Sequence, residues 1–446
     1  MNKHLISTNG KHPKTRKAIL VGAVLPANGA ATLASSLEEL EGLATTAGYE
    51  PAGVITQRLL RINPKTFLGE GKVEELGQVV KLHDAEVVIF DEDLSPGQTR
   101  NLEKELGCRI IDRSWLILEI FNEHAHTREA KTQVELARLK YALPRLTRMW
   151  GHLSRQRGGI GLKDVGETQI QLDRRLIRDQ ISKLEKKLKQ IDREKKTQRK
   201  SRRNIYKVAL VGYTNVGKSS LMNCMTGAGT LVEDKLFATL DATVRKIERN
   251  FPFPILLADT VGLINKLPHD LVASFKSTLD EVRDADLLLK VEDLSHPDHA
   301  SHAETTDRLL RELGADRLDS VRVFNKIDRV TDRGIREEAK RRYPDAVWLS
   351  CKTGEGLEAL RKAIVACYEK RLGGYRLELD FQQARLVPEI RKLAFVTRED
   401  YGGENIVLHL KAPSGGKEKI EALLAAFAAS PDEPLPLSGG PGHARP

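Results

Sequence analysis

The chain moves between two hydrophobic rhythms. In its first quarter, short apolar runs at Ala18–Leu25, Val54–Leu60, Glu86–Phe90 and Arg109–Ile111 are separated by stretches with helical spacing. Ala34–Gly48 carries Leu37, Leu40 and Leu43 and ends in glycine, and Gly71–Leu82 and Ser95–Leu106 have the same character. The apolar runs predict buried strands and the periodic segments predict helices. Strands alternating with helices predict a small parallel α/β domain over residues 18–112. The polar, basic segment 1–17 before it predicts disorder. Asn63–Gly71 (N-P-K-T-F-L-G-E-G) is dotted with glycine without forming a Walker motif. It reads as a surface loop at the sheet edge, with a second nucleotide site as the alternative.

From Thr127 the rhythm changes. Ala130, Val134, Ala137 and Tyr141 recur at spacings of four, three and four, the seam of an amphipathic helix that Pro144 bends or ends near Leu146. Ile177, Ile181, Leu184, Leu188 and Ile191 repeat that seam. Two such helices around one loop predict an antiparallel helical hairpin over 113–204. Its second helix turns strongly basic between Lys183 and Arg203, which suits either a solvated face or a phosphate-contacting surface. The loop Arg155–Arg175 places Gly158, Gly159, Gly161 and Gly166 among Arg155, Arg157 and Lys163. Glycines admit close backbone approach, and the cations can track phosphates and stack on bases. The tip therefore predicts contact with RNA or a nucleotide.

Another strand–helix region spans 205–371. Beyond it, in 372–430, strands at Tyr375–Asp380, Lys392–Thr397 and Asn405–Lys411 with a helix at Lys417–Ala428 predict a small α/β appendage. The Pro/Gly-rich 431–446 predicts a disordered tail. With 446 residues, two to four domains are expected. No apolar run reaches the ~18 residues of a membrane span, and secretory or lipidation signals are not evident. Cys108, Cys224, Cys351 and Cys367 are scattered without a C-x-x-C pair, the pattern of reduced thiols rather than a disulfide or zinc framework. The net charge of +10 favours a polyanionic partner without requiring one. The cysteine pattern suits the cytoplasm, and the expectation is a monomer without stable membrane insertion or a DNA partner.

The chemistry gathers at Val208–Ser219, V-A-L-V-G-Y-T-N-V-G-K-S. A strand, the pattern G-x-x-x-x-G-K-S and a helix start make a phosphate-binding P-loop of Gly212, Tyr213, Thr214, Asn215, Val216, Gly217, Lys218 and Ser219. Lys218 would reach the β- and γ-phosphates and Ser219 would ligate Mg²⁺. Phe237, Ala238, Thr239, Leu240 and Asp241 follow a loop, with Thr239 the switch I threonine and Thr243 its rival. Asp259, Thr260, Val261 and Gly262 follow a short strand; Asp259 would hold Mg²⁺ through water and Gly262 N–H would bond the γ-phosphate. Losing that phosphate would release Leu263–Ser277. Asn325, Lys326, Ile327 and Asp328 would choose the base, since the Asp328 carboxylate can accept from guanine N1–H and N2–H together. Ser350, Cys351 and Lys352 would close the pocket. Lys218, Thr239 and Gly262 are the expected catalytic set, with Ser219 and Thr239 on the metal. In Ras-like switches the residue after D-x-x-G is a glutamine that orients the attacking water. Here it is Leu263, so hydrolysis should be slow without a partner.

The order of these blocks resembles the HflX family of GTPases within the Obg–HflX branch: an α/β domain, a hairpin carrying R-G-G-I-G and G-E-T-Q, then G-Y-T-N-V-G-K-S, F-A-T-L-D, D-T-V-G, N-K-I-D and S-C-K. The fold implied is α/β: a P-loop GTPase domain with an N-terminal parallel α/β domain, a helical-hairpin arm and a small C-terminal appendage. The resemblance implies binding to the large ribosomal subunit and its ribosomal RNA through the Arg155–Gly166 tip. It further implies GTP-driven splitting of stalled or idle ribosomes, stimulation of the GTPase by ribosomes, and ATP binding in the N-terminal half, where no adenine-nucleotide motif stands. The glycine block reads G-L-K-D-V-G where the family pattern has an arginine and Pro-Gly. The competing functions are an ATP-driven RNA-remodelling enzyme with its motor in 18–112 and a GTP-gated adaptor that touches no RNA.

Overall fold

A computed structural model describes residues 16–25, 30–146, 163–200, 205–227, 236–237, 243–247, 251, 253–266, 276–402, 405–412 and 414–429. Of the segment 1–17 expected to be disordered, 1–15 lies outside them and Arg16–Lys17 belong to a strand instead; 431–446 also lies outside them. The first element is strand β1 (Arg16–Val24), followed by α1 (Ala30–Thr46), β2 (Tyr49–Arg58), α2 (Glu70–His83), β3 (Val87–Phe90), α3 (Pro96–Leu106) and β4 (Arg109–Asp112). The four strands form a wholly parallel sheet in the order β2-β1-β3-β4. Ile19, Val21, Val88 and Phe90 pack with Val73, Leu76 and Val80 of α2 and Leu102 and Leu106 of α3. Ser95 starts α3 with a capping box, its hydroxyl accepting from Gln98 N–H while the Gln98 side chain accepts from Ser95 N–H.

Asn63–Gly71 is only in part the surface loop expected: Pro64, Lys65, Glu70 and Gly71 are exposed, but its middle turns inward. Asn63 and Phe67 exchange backbone hydrogen bonds of 3.0 and 2.8 Å, and Thr66, Phe67 and Leu68 are buried. Phe67 takes a positive φ of 67° and meets the Phe90 ring edge-on at 6.0 Å. Hydrophobic burial has drawn Phe67 and Leu68 of this segment into the core of the first sheet's domain.

Helix α4 (Arg113–His124) occupies the start of the span predicted for the hairpin and is a separate helix. Asp112 caps it, accepting from Trp115 N–H at 2.9 Å. Leu116, Ile117, Leu118, Ile120 and Phe121 are all buried, so the helix lacks the polar face that betrays a helix in sequence. Helix α5 (Arg128–Ala142), capped by Thr127, buries Ala130, Val134 and Ala137 as its seam predicts and gives way to a 3₁₀ turn at 143–146. Helix α6 (Lys163–Lys200) runs antiparallel to it: Lys140 pairs with Glu185 at 2.9 Å, and Lys195 pairs with Glu129. The predicted tip loop must be shortened, because Lys163–Arg175, Gly166 included, is helical. Arg155, Arg157, Gly158, Gly159 and Gly161 lie outside the described residues.

The second sheet contains β5 (Tyr206–Val211), β6 (Thr243–Ile247), β7 (Ile255–Asp259), β8 (Leu287–Asp293), β9 (Ser320–Asn325) and β10 (Val347–Trp348) in the order β10-β9-β8-β5-β7-β6. Only β6 is recorded as antiparallel to its neighbour among the described residues. Helices α7 (Lys218–Thr226), α8 (Lys276–Arg283), α9 (His299–Glu312), α10 (Arg333–Arg342) and α11 (Leu357–Lys370) alternate with these strands. Val282, Ala285 and Leu310 pack against Ala209, Val211 and Leu288 at its core. The whole is a P-loop GTPase fold with parallel α/β sheets.

A separate compact unit takes in Ser201–Tyr206 and Arg361–Pro446. It holds β11 (Gly373–Asp380), α12 (Val387–Leu393), β12 (Phe395–Gly402), β13 (Asn405–Ala412) and α13 (Ser414–Ala429). Its sheet is antiparallel, ordered β11-β13-β12, with Leu379, Ile390, Leu408 and Ile420 in the core. Lys392 and Leu393, expected in a strand, end α12 instead, and the strand starts at Phe395. No helix among the described residues is long and apolar enough to cross a membrane.

Leu76 is fully buried between α2 and the first sheet. Leu76→Ala should cost about 2–5 kcal/mol, seen by scanning calorimetry as an earlier unfolding transition with the C-terminal unit's transition unmoved.

Candidate functional site

The P-loop connects β5 to α7, and its glycines are set by sterics. A Cβ on Gly212 would overlap the Val291 carbonyl, and one on Gly217, at φ 92°, would overlap the Asn325 side-chain amide. Asn215 is exposed at φ 59° and Val216 is buried. Lys218 is buried, its ammonium donating to the carbonyls of Gly212 (3.1 Å) and Tyr213 (2.7 Å). Burial pulls its pKa down to about 8 against the opposing pull of Asp259. A cation desolvated this way is a ready partner for a multiply charged anion.

Ser219 and Asp259 lie side by side, the hydroxyl donating to the carboxylate at 2.7 Å. These are hard oxygen donors of the kind Mg²⁺ takes, and they fit a cation held partly by phosphate oxygens. No group of three or more His, Cys, Asp or Glu among the described residues could hold a metal without such help. Thr260 is buried, its hydroxyl donating to Leu210 O at 2.6 Å, and Val261 is buried beside it. Gly262 sits so close to the P-loop that an added Cβ would lie 2.8 Å from Thr214 Cγ2 and 3.3 Å from Lys218 Nζ. Leu263 N–H donates to Gly212 O (3.1 Å), Thr214 N–H donates to Leu263 O (2.9 Å), and the Leu263 side chain is buried.

At the other end of the pocket, Asn325 joins three motifs. Its amide donates to Val216 O at 2.8 Å and its side-chain oxygen accepts from Cys351 N–H at 3.2 Å. Lys326, at φ 59°, lies over the P-loop, donating to Asn215 O and pairing with Asp293, both at 2.7 Å. Ile327 is buried below. Asp328 accepts from the Ser350 hydroxyl at 2.6 Å, which holds its carboxyl below the usual range. The Ser350–Gly356 turn depends on Gly356, where a Cβ would overlap the Trp348 carbonyl, while Lys352 remains exposed. Cys351 accepts from the Cys224 thiol through its carbonyl (3.3 Å), and burial pushes its own thiol up to about 12. All four cysteines are free.

The structure thus brings together Gly212–Ser219, Asp259–Gly262, Asn325–Asp328 and Ser350–Lys352. Ala238, Thr239, Leu240 and Asp241 lie outside the described residues, while Thr243 begins β6 opposite Asp259. The Phe237 ring is committed elsewhere, meeting Phe121 of α4 edge-on at 4.7 Å. Sequence reasoning missed a second set of contacts around the site. Tyr213 stacks on His302 at 3.8 Å, its hydroxyl bonds Glu39, and Asn265 N–H donates to that hydroxyl at 2.9 Å. Burial, then Glu39, push the Tyr213 phenol well above its usual range, while burial pulls His302 down to about 4. Arg113, Asp91 and Lys266 complete that set. Each is remote in sequence from its partner, so no local spacing reports it.

Three family models match consecutive stretches: a GTP-binding GTPase N-terminal region at 34–122, a GTP-binding GTPase middle region at 124–202 and a 50S ribosome-binding GTPase at 207–326. The GTPase HflX of Magnetococcus marinus is 44% identical over 388 residues, 86% of this chain and 90% of that one. That of Flavobacterium psychrophilum is 51% identical over 313 residues, 70% and 75% of the two chains, and that of Escherichia coli is 44% identical over 368, 81% and 86%. Among solved structures, a GTP-binding protein from Sulfolobus solfataricus in complex with GDP aligns over 80% of this chain and 99% of that one at 26% identity. Its TM-score of 0.42 is too low to carry geometry across.

Gly217→Ala must displace the Asn325 amide and leave the Val216 carbonyl and Cys351 N–H unmatched. The loss should be on the order of 1–3 kcal/mol, read by titration calorimetry as GDP binding weakened by about fivefold or more.

Proposed function

The chain belongs to the HflX family of GTPases and is a GTP hydrolase, and from that premise we propose how its residues divide the work. Lys218 turns from its carbonyl partners to the β- and γ-phosphates while the backbone N–H groups of Gly212–Ser219 cradle them. Ser219 and Thr239 would hold Mg²⁺, with Asp259 behind them through water, and the ion would supply positive charge against the phosphate oxygens. Gly262 N–H senses the γ-phosphate. Asp328 reads guanine, with Lys326 against one base face and Ser350–Lys352 closing the edge. The observation that carries the assignment is the Asn325 bridge, which fastens the base-reading loop and the closing loop to the phosphate loop as one pocket. Leu263, buried and without a polar atom, cannot orient water, so turnover alone is slow and a partner completes the reaction.

That partner is the ribosome, and within it the large subunit. Supporting this are the 50S ribosome-binding model over 207–326 and the basic, largely exposed face of α6. In this reading the GTP form docks in the cytoplasm with residues 155–166 toward ribosomal RNA and separates stalled or idle ribosomes into subunits.

Purified protein should turn over GTP slowly and be stimulated by large subunits; rapid turnover without any partner contradicts the Leu263 argument. GTP-dependent co-sedimentation with large subunits should weaken as salt rises. Arg155→Ala with Arg157→Ala should weaken it further at unchanged GTP affinity. Asp328→Asn should shift preference toward xanthosine nucleotides, and unchanged GTP use would defeat the guanine assignment. Appearance of free subunits with GTP but not GDP in a gradient tests splitting itself.

A further inference from the structure

Open parallel α/β sheets bind ligands outside the carboxyl ends of their strands, where the strand order reverses. In the first sheet that point lies between β1 and β3, and Asp91 follows the end of β3. Asp91 is fully buried, yet its carboxylate is occupied from within the chain. One oxygen accepts from Arg113 at 2.7 Å; the other accepts from Ser36 at 2.6 Å and from Lys266. Lys266 also pairs with Glu92 at 2.7 Å. Lys266 stands four residues beyond Gly262, in the segment a lost γ-phosphate would release. The crevice of the N-terminal sheet is therefore taken by switch II of the nucleotide-binding sheet.

The same network reaches the P-loop. Arg113 pairs with Glu39, Glu39 accepts from the Tyr213 hydroxyl, and that hydroxyl accepts from Asn265 N–H at 2.9 Å. Asn265 is further held by the Thr305 hydroxyl at 2.6 Å. Switch I is gripped independently. Leu236 packs against α1 so closely that a Cβ on Gly42 would lie 3.1 Å from Leu236 Cδ1, and Phe237 is buried against Phe121 of α4. Phe237 stands two residues before Thr239. The residues flanking both γ-phosphate sensors are thus anchored on one N-terminal scaffold, one by a buried charge network and the other by an aromatic contact.

We propose that the N-terminal α/β region is a positioning element for GTP hydrolysis, holding switch II through Lys266 so that Gly262 is pre-set for the γ-phosphate, and anchoring the start of switch I at Phe237. Lys266 and Glu92 are positioning residues: they touch no nucleotide and act through the peptide that leads back to Gly262. This rests on the assignment of Gly262 and Thr239 as γ-phosphate sensors. Ordering a segment costs conformational entropy; a chain with its outer anchor cut meets that cost when GTP binds, but not when GDP binds, since GDP has no γ-phosphate to grip.

The test uses full-length Lys266→Ala, Lys266→Arg and Glu92→Lys, each checked by circular dichroism and thermal melting. Wild-type GTP binding and turnover come first: their absence would defeat the functional reading, separately from this inference. Lys266→Ala should lower kcat and the ratio of GTP to GDP affinity by roughly fivefold or more, with GDP affinity within about twofold. Glu92→Lys should do the same more weakly, and Lys266→Arg, which keeps the ion pair, should restore most of the activity. Folded Lys266→Ala and Glu92→Lys proteins with unchanged kcat and unchanged affinity ratio would overturn the proposal. So would a rise in kcat, which would make the anchor a brake.

Discussion

A guanidinium sealed from water is the constraint on which the nucleotide-binding half depends. Arg113 is 1% exposed, and an ion removed from water costs several kcal/mol unless its hydrogen-bonding groups are matched. Glu39 from α1 and Asp91 beyond β3 match its two terminal nitrogens, while Nε is left without a partner. Burial alone would push the Asp91 carboxyl upward, but Arg113 and Lys266 outweigh it and hold it below its ordinary value. Such a network is worth little as net stability, because hydrophobic residues could fill the space as well. Breaking it from one side is another matter, costing about 3–5 kcal/mol. Its structural consequence is specificity: Tyr213 and Lys266 must meet Glu39 and Asp91 in one arrangement, which brings the P-loop and switch II to the N-terminal sheet.

Much of this could be read in the sequence where the physics is local. The strands of the first sheet and the hairpin seam came from burial and period, and the P-loop from a spacing that only a strand–turn–helix can satisfy. Helix α4 escaped because its Leu116–Phe121 run is buried on nearly every face, leaving no period to detect. Asn63–Gly71 misled because its glycines suggested exposure, whereas Phe67 and Leu68 pull the segment inward. Lys163–Arg175 was read as loop from its glycines and charges, yet the helix runs through Gly166. In the site, the Asn325–Asp328 loop was legible as a base reader because N-K-x-D stands behind a P-loop. The Glu39–Tyr213 and Asp91–Lys266 contacts were not, since each joins residues more than a hundred positions apart and no motif records them.

The two sheets explain each other functionally. The P-loop, Ser219, Asp259 and the Asn325–Asp328 loop gather at the carboxyl edge of the second sheet, where strand ends and helix starts expose backbone N–H groups. The first sheet presents its own carboxyl edge to the same place and fills it with Lys266 rather than a small ligand. A chain with Leu263 in place of a water-orienting side chain has more need than most of an outside element that fixes the peptide around Gly262.

The central claim is that the N-terminal sheet grips switch II through Lys266, so that a γ-phosphate engaging Gly262 in the Asn325-bridged pocket is felt at Asp91. Amide hydrogen exchange over residues 87–121, compared between the GDP form and a form with a non-hydrolysable GTP analogue, measures this directly. The account predicts changed protection around Asp91–Asp93 and at the start of α4, with the distant core of β1 unaltered. Identical exchange across 87–121 in the two nucleotide states, with the P-loop itself responding, would contradict it.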